Sequence, residues 1–480
     1  MEQNRNARVN PYFAKKERGR FRSLENENES ENLQLMASAP IPKAILTLAI
    51  PTVFSTIISL VYNLTDTYFI GLLDDPVQLG AISLAFPVFL VFQALGNMFG
   101  AGAPSYISRC LGAGRYDEVR RTSAVSVYVS AGMMLVLTVI GLLFMEPILG
   151  VIGTSSDTIG PTRAYLRIVM ACSVVLILQV ILPAMLRAEG KVKEAVAGMI
   201  IGTVLNIVLD PVFILVFGMG VSGAAWATII GNLAAVVFYL FIYLRGKTIV
   251  SIRPCDFKPS VRIFREVLKI GLPSSVSQIL GSVTMVLFNN LAAGYGDAVV
   301  SAYGVALKMI QMEFMILFGY ISGYVPFAGY NYGAGNYKRL TGALKFTMLT
   351  GTVLCLIFMI PFTVLAPAYM GIFTSSREII EIGTQFLHAQ AWAVPIMAVQ
   401  VTLMNTYQAT GQAVRAMLVS LGRQCLFYLP YLYLFNRLWG LTGLLHVQMA
   451  SDLSTTLLSV LIGIQMIKGL YGRQKQETVG

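Results

Sequence analysis

Ser222-Gly-Ala-Ala-Trp-Ala-Thr-Ile-Ile-Gly-Asn-Leu-Ala-Ala-Val-Val-Phe-Tyr-Leu-Phe-Ile-Tyr-Leu244 is the stretch on which the fold turns. It has 23 residues and no charge, and it is closed by Arg245 and Lys247. About 20 mainly apolar residues suffice to carry a helix across the hydrocarbon core of a bilayer. The rest of the chain has the same character. Of 480 residues, 56% are apolar and 12% charged, with 35 basic, 24 acidic and a net charge of +11. Mean hydropathy is +0.68. A soluble domain carries about 25% charged residues, so a soluble enzyme of this composition would have too little polar surface to cover its core. A disordered chain needs the opposite bias. The composition predicts a polytopic membrane protein.

Working outward from Ser222–Leu244, twelve segments qualify: 44–71, 78–101, 122–145, 160–186, 193–217, 222–244, 267–293, 298–323, 341–367, 379–406, 411–435 and 441–467. Their runs are continuous rather than alternating, which argues for helices and against a barrel. The expected layout is a polar tail 1–43, a first lobe 44–246, a linker 247–266, a second lobe 267–468 and a short tail 469–480. Residues 1–40 show no apolar core of a secretion signal. The Glu/Asn-rich run Leu24–Asn32 reads as solvated.

Basic residues set the expected orientation. Thirty of the 35 fall in the tails and the even-numbered connections, among them Arg415 and Arg423. Arg163, Arg167, Arg377 and Arg437 lie on the opposite side, and Lys308 is the one basic residue counted within a span. Both ends are therefore expected in the cytoplasm, with the protein in the cell membrane. Such short basic bursts do not form the continuous basic face that nucleic acid needs. Five scattered cysteines without CxxC spacing argue against a disulfide framework or a metal cluster.

The chain repeats itself at an offset of 221–222. Ile50-Pro51 matches Leu272-Pro273, Leu111-Gly-Ala-Gly-Arg-Tyr116 matches Tyr332-Gly-Ala-Gly-Asn-Tyr337, and Leu186-Arg-Ala-Glu-Gly190 matches Tyr407-Gln-Ala-Thr-Gly411. Six spans per copy make the repeats parallel, an arrangement suited to two lobes alternating about a central site.

These motifs resemble the multidrug and toxic compound extrusion family, over residues 44–468. The resemblance rests on Tyr62-Asn63, Asp66, Phe69-Ile70-Gly71, the two Gly-Ala-Gly turns, Asn206, Asp210-Pro211 and Gln408-Ala-Thr-Gly411. It looks closest to the DinF-like and MepA-like branches. A NorM-type carboxylate is missing from span 10, whose middle offers His388, Gln390 and Gln400. The resemblance implies a twelve-helix transporter of two pseudo-symmetric six-helix bundles, without cofactor and not an enzyme. It also implies coupling to a transported cation, a proton or a sodium ion.

Four acids remain inside spans: Asp66, Asp210, Glu313 and Asp452. Such an acid costs about 2.5–3.5 kcal/mol on insertion scales, so a functional role is the default reading. Spans 1 and 5 run in the same direction and place Asp66 about 33 Å and Asp210 about 26 Å along them. Asn206 lies one turn before Asp210, and Thr228 reaches the same depth on span 6. Two carboxylates there repel, so one should hold its proton or share a cation. The resemblance carries cation coupling onto Asp66, Asn206, Asp210 and Thr228. Pro51 and Pro211 are the expected hinges. The second copy has Phe288 and Leu432 opposite the two acids, and its own polar set is Lys308, Glu313, His388, His446 and Asp452. Tyr62, Asn63, Tyr165, Gln179, Gln278, Asn289, Asn290 and Glu313 are the expected polar contacts of a substrate cavity.

The function expected is export of amphipathic, often cationic organic compounds by proton-coupled antiport, from a monomer embedded in lipid. A flippase for lipid-linked or polysaccharide precursors is the alternative, and it would want a more basic cavity. An embedded enzyme is disfavoured because neither HExxH nor GxSxG occurs. A channel lacks a filter-like repeat, and the chain has no P-loop.

Overall fold

The computed structural model describes residues 32–71 and 75–479, with the side chains of Asn63 and Asp66 outside the described set. Helices account for every long element among the described residues. Span 1 is Ile41–Gly71, span 2 Pro76–Gly112 and span 3 Tyr116–Leu143. Span 4 is a bent pair, Ile159–Ala171 and Ser173–Ala188. Span 5 is Val192–Pro211, continued by a π-turn at Val212–Val216, and span 6 is Gly220–Leu244. The second lobe repeats the plan. Span 7 is Val261–Ala293, span 8 Asp297–Gly333 and span 9 Tyr337–Val364. Span 10 is the bent pair Arg377–Ala391 and Val394–Ala409. Span 11 begins at Ala413–Leu421 and passes through a π-turn at Gly422–Leu426.

Nine of these stretches can each cross a membrane alone, and the two bent pairs raise the number to eleven among the described residues. The last stretch, Ala413–Leu470, holds two crossings, because Gly440 (φ 56°, ψ −132°) breaks it into spans 11 and 12. The chain is thus an all-α protein of twelve membrane helices in two pseudo-symmetric bundles. The linker joins spans 6 and 7 on the face where both chain ends emerge, here called the linker face.

The repeat is visible in backbone detail. Gly114 and Gly335 (φ 67° and 71°) close spans 2 and 8, while Gly190 and Gly411 (φ 86° and 72°) close spans 4 and 10. At each turn an amide reaches back five residues to the helix end: Arg115 to Cys110, Asn336 to Asn331, Lys191 to Leu186 and Gln412 to Tyr407. This is the Schellman closure, which needs the left-handed conformation that glycine adopts without strain. Spans 4 and 10 also break at corresponding places, by 50° and 54°. In span 10 the second half starts at Val394-Pro395, where proline has no N–H for the preceding turn.

Each lobe has a core of its own, around Ile181, Leu186 and Tyr239 in the first and around Phe288, Tyr303 and Leu432 in the second. A third cluster joins them, with Ile45, Leu48 and Ala49 of span 1 packed among Ile321, Tyr324 and Ala328 of span 8. The lobes meet backbone to backbone at the linker face. A Cβ on Gly112 would overlap Tyr330 O, and one on Gly333 would overlap Arg109 O. Both contacts convert into each other by the repeat offset, as a pseudo-twofold axis requires.

Candidate functional site

In the first lobe, Gly202 and Gly231 let spans 5 and 6 pack backbone to backbone: a Cβ on Gly202 would sit 2.8 Å from Gly231 O. This close approach brings Asn206 and Thr228 together, and Asn206 Nδ2 donates to Thr228 Oγ1 at 3.4 Å. Asn206 Oδ1 is buried with no hydrogen-bond partner among the described residues. One turn further, Asp210 is fully buried. Pro211 follows it and cannot donate to the preceding turn, and the helix widens into the π-turn Val212–Val216. Phe69 at the far end of span 1 packs with Ile214 and Ala224 of the span 5–span 6 corner. Span 1 therefore reaches the same corner, and Asp66 lies one turn before Phe69 on it. The Asp66 and Asn63 side chains lie outside the described residues.

Span 1 runs unbroken through Pro51. Just beyond it, Thr52 Oγ1 lies 2.6 Å from Gly319 O of span 8 and 2.7 Å from Ala49 O. Ser55 and Thr56 both donate to Thr52 O. Hydroxyls that bond their own helix in this way favour bending, and the Thr52 bond ties this segment to span 8.

Between the lobes lies a cavity of about 470 Å³. The first lobe lines it with Asn97, Ser105 and Arg187, the second with Gln278, Asn405 and Arg423. Asn97 Nδ2 donates to Gln278 Oε1 at 2.6 Å, joining span 2 to span 7 across the lobe boundary. Toward the linker face the cavity is shut. Ser105 Oγ donates to Gln408 O, and Arg109 pairs with Glu266 at 3.0 Å.

Of the expected cavity residues, Gln278 lines this space. Tyr62, Gln179 and Asn289 are half-buried and Asn290 is exposed, outside that lining. Tyr165 packs against the first-lobe core. Glu313 lies within the second lobe, in a small pocket with Met309, Met359 and Gln390.

Arg423 corrects the sequence reading. The chain re-enters the helical bundle at Ala413, so Arg423 belongs to span 11 and not to a loop. Its Nε donates to Asp452 Oδ1 at 2.8 Å, and Asp452 also accepts from Gln390 and Gln448, each at 3.1 Å. Lys308 is consequently not the sole basic residue within the spans. The signal was present: Arg423 stands twelve residues past the Gly411 turn, about 18 Å along a helix. Asp452 is a buried ion-pair partner, as an acid that holds helices together would be. Arg187, one residue past the end of span 4 expected from the sequence, lies in the last turn of that helix and also lines the cavity.

Two bundles around a cavity, closed on one side by a reciprocal seal, define a membrane transporter. The family model MatE matches residues 51–212 and again 273–434. The chain belongs to this family, the multidrug and toxic compound extrusion transporters, and its members are transporters rather than enzymes. The multidrug export protein MepA of Staphylococcus aureus (strain MSSA476) is 31% identical over 434 residues, covering 90% of this chain and 96% of its own length. MepA of Staphylococcus saprophyticus is 29% identical over the same length. Among solved structures, an outward-facing multidrug resistance MATE transporter superposes with a TM-score of 0.86 at 25% identity, covering 92% of this chain and 99% of that one. A transporter from Pyrococcus furiosus, described as having a binding pocket of reversed polarity, superposes with a TM-score of 0.85 at 26% identity and the same coverage.

Proposed function

We propose that this protein is a cation-coupled antiporter, with the proton as its ion, that exports amphipathic organic compounds across the cell membrane. The linker face and both chain ends lie in the cytoplasm on this reading. Asp66, Asp210, Asn206 and Thr228 form the coupling site, and substrate occupies the cavity between the lobes. Proton entry from the far face bends span 1 near Pro51 and expels substrate. The observation that carries the reading is the first-lobe corner. A fully buried Asp210 stands one turn from the Asn206–Thr228 pair, beside a proline and a widened helical turn. A carboxylate in that setting can exchange a proton or hold a small cation with amide and hydroxyl oxygens.

The test is export of a cationic fluorescent dye from vesicles with an imposed pH gradient or an imposed sodium gradient. Asp66→Asn and Asp210→Asn should each abolish gradient-driven export while leaving expression and thermal stability near wild type. Unimpaired export in either variant removes that residue from the coupling site. A response to sodium alone makes sodium the ion.

A second reading has one observation in its favour. Arg187 and Arg423 both line the cavity, and guanidinium groups suit the anionic head of a lipid-linked precursor. Competition of dye export by such an anionic lipid, absent with a neutral one, would favour it.

A further inference from the structure

Glu313 of span 8 is 5% exposed, and its Oε1 is buried with no hydrogen-bond partner among the described residues. Around it stand Met309, Ile310, Met359, Leu387, Ala391 and Val394, an apolar wall broken by Thr363 and Gln390. The charged and titratable groups nearby are few. On its own helix, Lys308 is exposed and stands about 140° around the axis. Span 9 contributes the buried Cys355. Span 10 contributes His388, an exposed side chain whose Nε2 lies 3.0 Å from Thr363 O. Span 12 contributes Asp452, already engaged by Arg423. No ion pair reaches Glu313 among the described residues. An ionised carboxylate would therefore meet desolvation without compensation, whereas a protonated one fits.

Gln390 is the link from this pocket to the centre of the molecule. It lines the Glu313 pocket, and its Nε2 donates to Asp452 Oδ2 at 3.1 Å. Asp452 holds Arg423, a residue of the central cavity's wall. Gln390 also stands at the break of span 10, next to the last residue of its first half. A protonated Glu313 can donate to the Gln390 amide oxygen. An ionised one can only accept, and it draws on the amide group that now serves Asp452.

We propose that Glu313 is a proton-binding site of the second lobe, connected through Gln390, Asp452 and Arg423 to the wall of the central cavity. The site is separate from the acids of the first lobe. It gives the second lobe a titratable element at the bend of span 10, and it extends the proposed antiport, on which its transport role rests.

Infrared titration of the purified full-length protein in lipid reads protonated carboxyl groups directly, without any substrate. The C=O stretch of buried protonated carboxyls should lose one component in Glu313→Gln. That component should shift yet persist in Glu313→Asp, and remain in Asp210→Asn. Superimposable wild-type and Glu313→Gln spectra overturn the proposal. Should Glu313→Gln fail to fold, an unshifted component in Glu313→Asp overturns it equally. Dye export by Asp210→Asn separates the two readings. If that variant exports normally, the first-lobe coupling fails, while the infrared result still decides Glu313.

Discussion

Asp452 and Arg423 show what a single residue costs inside this bundle. Asp452 is 1% exposed as a side chain, its partner 21%. Removing one member of a buried pair leaves an uncompensated charge, about 3–5 kcal/mol, toward the lower end here because Arg423 touches the cavity. Asp452→Asn should therefore lower the thermal midpoint in detergent clearly, and the double change Asp452→Leu with Arg423→Met should lower it less. Glu189 gives a second case, outside the membrane at the end of span 4. It is buried and accepts from Val250 N at 3.2 Å, pinning the linker. Burial dominates over that bond and over nearby Lys191, and it pushes the Glu189 carboxyl from 4.5 up to about 7. Between those values the docked linker holds a proton that the undocked one lacks. Docking is therefore strongest below the window and weakens as pH rises through about 7. Amide exchange at Val250 should speed up across that range beyond its intrinsic pH dependence, and Glu189→Gln should remove the excess. The importance of Glu189 was hidden in the sequence, since its motif Leu186–Gly190 reads as a turn. The nearness of Asn206 to Thr228, with Asp210 one turn on, was legible, because helical spacing sets their depth.

At the scale of the element, the helices announce themselves by length and apolarity, and their interruptions do not. The bends of spans 4 and 10 and the π-turns after Pro211 and Leu421 are set by tertiary packing as well as by local propensity. Pro211 predicts a disturbance but not its form, and Cys172 at the break of span 4 predicts nothing. The same limit explains Arg423, which follows from the helix only once the turn before it is placed. Span 1 combines a proline with hydroxyls that bond their own backbone and Gly319. If this segment is the hinge, Pro51→Ala restores a backbone bond and stiffens it. Dye turnover in vesicles should fall several-fold with dye affinity little changed. Equal turnover in the two proteins would falsify the hinge at Pro51.

For the molecule as a whole, the offset of 221–222 residues was readable from three short matches, and the structure turns it into a contact rule. Gly112 and Gly333 meet the opposite lobe's backbone so closely that no side chain fits. Gly112→Leu should hold the linker face ajar. A cysteine placed at Ser105, which faces Gln408 across the seal, should then react with a membrane-impermeant thiol reagent from that side, as it does not in the parent. Composition located the bilayer and repetition located the axis. Neither could show that the cavity between the lobes carries two arginines, because that depends on which helix faces inward.

The joint between span 1 and span 8 bears on biosynthesis. Ile45, Leu48 and Ala49 emerge from the ribosome among the first membrane residues, yet their partners Ile321, Tyr324 and Ala328 belong to the eighth helix. The first lobe is therefore born with an open flank. It stays so until the linker and spans 7 and 8 have been made, and the order of synthesis leaves its final closure to the second lobe.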